Sequence, residues 1–134
     1  MNSQGIQEYL KKIRENSDFI SSDVLEPIHY DNKNKNTWVE IENPEFTSLC
    51  PRTGLPDYGT ITIKYLPDKY VVELKSLKLY FLQFRNTGIF YENLNQLILD
   101  HLTKVIQPIE MIIQSEFTPR GGITTRVTST FKKK

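Results

Sequence analysis

The side chains able to do chemistry in this sequence fall in four short segments. The first, Phe46-Thr47-Ser48-Leu49-Cys50-Pro51-Arg52-Thr53-Gly54-Leu55-Pro56-Asp57-Tyr58-Gly59, holds the only cysteine. A residue before proline is driven to extended backbone. Cys50 therefore projects from a stiff loop, and Gly54 and Pro56 supply a turn that can fold Asp57 back toward it. A thiol and a carboxyl on one rigid turn make a nucleophile and a proton donor. The same types also suit a small buried apolar side chain at 50 and a turn-forming aspartate at 57. Spacing alone favours that plainer reading, because free cysteine is among the most buried residue types.

The second segment starts at Glu73, which follows two valines where a strand hands over to a helix. A carboxylate fixed there can accept two parallel N–H bonds from a guanine-like edge. The alternative makes Ser76 a helix cap with Lys75 and Lys78 solvated. In the third, Tyr91-Glu92 opens another helix, where an acid is favoured by the helix dipole in any case. The fourth, Pro119-Arg120-Gly121-Gly122, offers backbone N–H groups and a guanidinium to a phosphate, or is a hairpin turn using glycine for positive φ. His101 lies on an apolar helical stripe and reads as core or interface. His29 has no partner at metal-ligand spacing, and Trp38 reads as core or interface.

The elements that must position these residues follow from periodicity. Residues 4–16 suit a short amphipathic helix on Ile6, Leu10 and Ile13. Residues 31–36 (DNKNKN) read as a linker. Strands are expected at residues 37–41 (TWVEI), 60–65 (TITIKY) and 70–73 (YVVE). The last two should form a hairpin through Pro67-Asp68. Residues 76–84 (SLKLYFLQF) are too apolar for a helix covered on one side only. Phe90, Leu94, Leu97, Ile98, His101, Leu102 and Val105 mark a second helix that Pro108 ends. Residues 109–117 and 123–130 complete the strands. The fold class is α+β: an antiparallel four-stranded sheet with two helices on one face. Its open edges call for cover or partners.

Composition limits the functions. The chain has 134 residues, 17 Lys plus Arg against 16 Asp plus Glu, and a net charge of +1. Such balance argues against a direct nucleic-acid or membrane-surface binder. One cysteine and two histidines supply neither a disulfide framework nor a multi-ligand zinc site, so no metal is expected. No stretch is apolar over a bilayer's length, and the N-terminus lacks the apolar middle of a signal peptide. The expected location is the cytoplasm. The expected organisation is an N-terminal extension over residues 1–35, a single domain over 36–131 and a basic tail over 132–134.

Taken together the four segments are specific. Glu73-Leu74-Lys75-Ser76-Leu77-Lys78-Leu79-Tyr80 resembles the signature of the NADPH-dependent 7-cyano-7-deazaguanine reductases, the nitrile reductases of the queuosine pathway. Cys50-Pro51-Arg52-Thr53-Gly54 with Pro56-Asp57-Tyr58-Gly59 resembles their nucleophile loop. Phe84-Arg85-Asn86, Tyr91-Glu92-Asn93 and Phe117-Thr118-Pro119-Arg120-Gly121-Gly122 match in order and spacing. The similarity runs from about Trp38 to about Val127, and the short length resembles the single-module subfamily.

That resemblance implies a tunnelling fold (T-fold) and a ring-forming homo-oligomer, a decamer of two stacked pentamers with active sites between subunits. It implies NADPH-dependent reduction of the 7-cyano-7-deazaguanine nitrile to an aminomethyl group, within tRNA queuosine biosynthesis. Cys50 becomes the nucleophile that forms a covalent thioimide, and Asp57 the proton donor. Val72, Glu73, Leu74, Tyr91 and Glu92 become substrate-binding residues, with Lys75, Arg120 and Gly121 at positions associated with NADPH. The sequence departs from the family's common pattern at Tyr91, where many relatives carry His, and at Leu74, where many carry Ser. Zinc-dependent cyclohydrolases or pterin synthases of the same fold need several His or Cys ligands. A purine-binding scaffold of the fold would keep the glutamates without needing the thiol.

Overall fold

The computed structural model describes residues 1–15, 20–32 and 34–134. Asn16, the expected end of the first helix, and Lys33, inside the expected linker, lie outside them. Helix α1 spans Ser3–Glu15, and strand β1 Pro27–His29. They are followed by β2 (Val39–Leu49), β3 (Pro56–Leu66) and β4 (Tyr70–Val72). Helix α2 (Leu74–Leu82) continues into a 3-10 turn, Gln83–Asn86. Helix α3 (Tyr91–Ile106), β5 (Glu110–Phe117) and β6 (Arg126–Lys132) complete the chain.

One four-stranded antiparallel sheet has the order β2-β3-β5-β6. Strict alternation decides which face is covered. In β3, Asp57, Gly59, Ile61, Ile63 and Tyr65 are buried, and in β5 Met111, Ile113, Ser115 and Phe117 are buried. These side chains meet Leu77, Tyr80, Phe81 and Phe84 from the α2 segment and Leu94, Ile98, Leu102 and Ile106 from α3. Helix α2 is apolar on more than one side because α1 also covers it, with Tyr9 and Ile13 packed on Leu79.

Two expectations change. Residues 60–65 and 70–73 do not form a hairpin together. β3 pairs with β2 and β5, while β4 pairs with β1 in a separate two-stranded ribbon, Ile28 opposite Val71. The turn at Pro67-Asp68 leads the chain off the sheet instead of back along it. β2 also runs on past Ile41 to Leu49. Its register shifts between Asn43 and Phe46, around Pro44. Proline within a strand is tolerated at a bulge on a sheet edge, and β2 is an edge. Trp38 is 40 % exposed, with the Lys64 ammonium 5.5 Å from its ring centroid.

Phe46 joins these layers. Its ring lies 5.9 Å from Phe81, 5.7 Å from Phe84 and 6.4 Å from Phe117. Each such contact contributes about 0.5–1.5 kcal/mol beyond area burial. Gly59 lets β5 approach: an added Cβ would stand 2.7 Å from the Glu116 carbonyl oxygen and 2.9 Å from the Phe117 ring.

Candidate active site

The turn between β2 and β3 carries Cys50. Its Cys50 N–H donates to Leu55 O at 2.9 Å, and Gly54 N–H donates to Cys50 O at 2.8 Å. Gly54 adopts φ +72°, a left-handed backbone that glycine accepts without a Cβ penalty. The strand end is anchored to the segment after α2. Leu49 N–H donates to Thr87 O at 2.9 Å, and Ile89 N–H donates to Leu49 O at 3.2 Å.

Cys50 is half-buried with a free thiol, so the wholly buried alternative does not apply. The Thr53 hydroxyl first, then the backbone N–H groups of Thr53 and Arg52, hydrogen-bond the sulfur and hold the thiol below its usual range. Slight desolvation and the Asp57 charge push the other way. Thr53 Oγ1 accepts the Leu55 N–H at 3.2 Å, which leaves its proton for the sulfur.

Asp57 points inward from β3 and is 6 % exposed. The Arg120 guanidinium lies 3.5 Å from Oδ1 and also donates to the Pro56 carbonyl. The Tyr91 hydroxyl donates to the Asp57 carboxylate. Desolvation, then that bond, push the phenol up to about 12, so Tyr91 is a neutral donor and not a base near neutral pH. Its ring lies on Phe117 with centroids 3.6 Å apart and planes 8° apart. Gly121 and Gly122, at φ +57° and +80°, turn the chain beyond Arg120 with open space around them.

Glu73 sits elsewhere. It caps α2, its Oε2 accepting the Ser76 N–H at 2.6 Å. Ser76 is thus not the cap; its hydroxyl donates to Glu73 O at 2.7 Å and accepts the Glu26 N–H at 3.0 Å. Val72 is buried, while Leu74 and Lys75 are exposed at the helix start. From Leu74 to Asn86 the chain rises about 20 Å, at ~1.5 Å per α-helical and ~2.0 Å per 3-10 residue, before Thr87 reaches Leu49. Cys50, Asp57, Tyr91 and Arg120 therefore gather at one end of α2, with Glu92 exposed in the first turn of α3. Val72, Glu73, Leu74 and Lys75 gather at the other end.

The cavities follow the same division. A cleft of about 200 Å³ is lined by Tyr91, Phe117, Thr118, Arg120, Ile123 and Thr125. A larger cavity, about 490 Å³, runs between β2 and α2 past Ile41, Phe46, Leu77 and Arg85 and includes neither Cys50 nor Glu73. Among the described residues no group of three or more His, Cys, Asp or Glu side chains could hold a metal ion, and no helix is long and apolar enough to cross a membrane. Sequence reasoning gave no role to Thr53 and assigned Arg120 to the nucleotide without its contacts to Asp57 and Pro56. A hydroxyl three residues after the cysteine in a glycine turn was the available signal for Thr53.

A lowered thiol beside a buried carboxyl, on a helix-covered antiparallel sheet, defines a cysteine-centred α+β scaffold. The family model described as QueF-like protein matches residues 56–134. The NADPH-dependent 7-cyano-7-deazaguanine reductase of Chloroherpeton thalassium is 56% identical over 110 residues, covering 82% of this chain and 95% of the relative. The reductase of the same name from Chlorobium phaeobacteroides is 62% identical over 96 residues, covering 72% and 83%. The solved structure of an apo archaeosine synthase, QueF-Like, superposes with a TM-score of 0.65 at 18% identity, over 69% of this chain and 91% of that one. That likeness concerns the fold. The chain belongs to the QueF-like family of NADPH-dependent 7-cyano-7-deazaguanine reductases.

Proposed function

We propose that this chain reduces the nitrile of 7-cyano-7-deazaguanine to the aminomethyl group with two equivalents of NADPH, in the cytoplasm and within tRNA queuosine biosynthesis. The observation that carries the reading is the Cys50 thiol, held reactive by Thr53 and close enough to Asp57 to feel its charge. A nitrile is a poor hydride acceptor. The Cys50 proton passes to the Asp57 carboxylate, and addition of the sulfur to the nitrile carbon, with that proton passing on from Asp57 to the nitrogen, gives a thioimide C=N that accepts hydride readily. Tyr91 and Arg120 orient the Asp57 carboxyl and offset the charge left on it. NADPH, when bound, supplies the hydride. The cationic Lys75 and Arg120 and the open turn at Gly121 fit its phosphates.

Glu73 has one carboxylate oxygen spent on the helix cap, and Oε1 remains for the N–H edge of the base, with Val72, Leu74, Tyr91 and Glu92 around it. Because about 20 Å of helix separates Glu73 from Cys50, the reading requires two copies, the base end of one meeting the thiol end of the next. Open edges at β2 and β6 and the cavity between β2 and α2 suit a ring assembly of the T-fold type, a decamer of two pentamers. Residues 36–131 form its catalytic domain, 1–35 an N-terminal extension and 132–134 a basic tail.

Intact-protein mass spectrometry after mixing with the nitrile alone tests the chemistry. The expected result is a mass increase equal to the substrate, absent in Cys50→Ala and discharged by NADPH. No adduct and no NADPH consumption would reject the reading.

A further inference from the structure

Ser48 is a buried hydroxyl that the fold does not use. It is 0 % exposed, and its Oγ has no hydrogen-bond partner among the described residues. Other buried polar side chains nearby are satisfied. Ser115 Oγ donates to Asn95 Oδ1 at 2.6 Å, Asn95 Nδ2 donates to Ser129 Oγ at 2.8 Å, and Gln83 Nε2 donates to Ser21 O at 3.0 Å. Buried polar groups are paired as a rule, so an exception calls for a cause.

Position supplies one. Ser48 stands directly opposite Asp57 in the β2–β3 register, and both side chains are buried on the helix-covered face. Opposed residues of an antiparallel pair hold their Cβ atoms about 4.5–5.5 Å apart, so a rotation about the Ser48 Cα–Cβ bond is enough to bring hydroxyl and carboxyl together. Cys50 follows two residues later. Ser48 is sealed from solvent and cannot itself reach a substrate, which removes a nucleophilic role.

We propose that Ser48 is a positioning residue for the proton transfer, its hydroxyl held in reserve for the Asp57 carboxylate. This rests on the reading of Asp57 as proton donor. Asp57 first takes the Cys50 proton; as the sulfur–carbon bond forms, the Asp57 O–H bond breaks and that proton passes to the nitrile nitrogen. Negative charge then returns to a buried carboxylate that already has Arg120 and Tyr91 as partners. Ser48 keeps its own proton and turns it toward the returning charge, an interaction present in the transition state and absent from the neutral acid that precedes it.

The test measures the rate of adduct formation at Cys50 against nitrile concentration, in H2O and D2O, for wild type, Ser48→Ala and Ser48→Thr. Ser48→Ala should slow the saturated rate about tenfold, the loss expected for one hydrogen bond to a charged group. The half-saturating nitrile concentration should stay unchanged, the solvent isotope effect should rise, and Ser48→Thr should recover the rate. A purely structural role would not raise the isotope effect. Equal rates and isotope effects in wild type and Ser48→Ala would overturn the inference, as would a loss confined to half-saturation or one that a folded Ser48→Thr does not repair. If Ser48→Thr fails to fold, the isotope effect in Ser48→Ala decides. A wild type that forms no adduct sinks the reductase reading and this inference with it; a wild type that does, matched by the variant, sinks the inference alone.

Discussion

The Tyr91 ring lies flat on Phe117, centroids 3.6 Å apart and planes within 8°, and this stack aims the phenol at Asp57. Phe117 is in turn held by Phe46, so one aromatic column runs from the edge strand that leads into the Cys50 turn to the helix start that touches Asp57. Tyr91→Phe keeps the stack and deletes the donor. Adduct formation at Cys50 should fall about tenfold with stability nearly unchanged. Tyr91→His should add an ionisation near pH 6.5 to the thiol's own titration, one that wild type lacks, because imidazole ionises there and this phenol does not. Stopped-flow rates from pH 5.5 to 8 check both.

The Thr53 hydroxyl does most to hold the Cys50 thiol below its usual range. Thr53→Val keeps the shape and loses the hydroxyl, so the pH midpoint for alkylation by iodoacetamide should rise. The rate at pH 7 should fall several-fold. Alkylation followed by mass spectrometry reads this without substrate. An unchanged midpoint would show that the backbone N–H groups suffice.

A site shared between copies makes a quantitative demand. Cys50→Ala and Glu73→Ala should each be inactive, yet unfolding and refolding them together in equal amounts should restore about a quarter of the wild-type rate, since one interface arrangement in four carries both intact residues. A site complete within one chain would restore none.

The Tyr80 hydroxyl and His101 Nδ1 are 2.7 Å apart and tie α2 to α3. Burial first, then the Lys104 charge, hold His101 below its ordinary value. Between that lowered value and the unfolded value of about 6.5, the unfolded chain binds more protons than the folded one. Stability is therefore complete above about pH 6.5 and declines as pH drops toward the folded value. Melting temperatures from pH 7.5 to 5 should show this decline, and His101→Gln should remove its share. Tyr80→Phe, which strips a partner from the ring nitrogen, should cost about 1–2 kcal/mol at pH 7.5.

Much of the fold was legible because periodicity reports burial. The stripe from Phe90 to Val105 lies within α3, apart from Phe90 itself at its cap, and the alternation at Ile61, Ile63 and Tyr65 lies within β3. Pairing was harder to read. Residues 70–73 look like the return strand of a hairpin, and only the position of Pro27–His29 shows that they pair elsewhere. Pro44 hid the continuity of β2, since a bulge at an edge leaves no period-two trace. The proximity of Cys50 and Asp57 was legible from the turn between them. The contact of Arg120 with Asp57 joins residues more than sixty positions apart, and the separation of Glu73 from Cys50 needed the length and direction of α2.

Glu26 meets the N-terminal end of α2 twice, its carbonyl accepting the Glu73 N–H at 2.9 Å and its own N–H donating to Ser76 Oγ at 3.0 Å. The region shared with the family model opens thirty residues later, at Pro56. A protein cut back to that region would lose β2 and Cys50 outright, whereas one begun at Val39 would keep the four-stranded sheet and the thiol and still discard the splint that keeps Glu73 from swinging. On the reading proposed above its hold on the base would loosen, and the defect would pass for a damaged pocket rather than a missing brace.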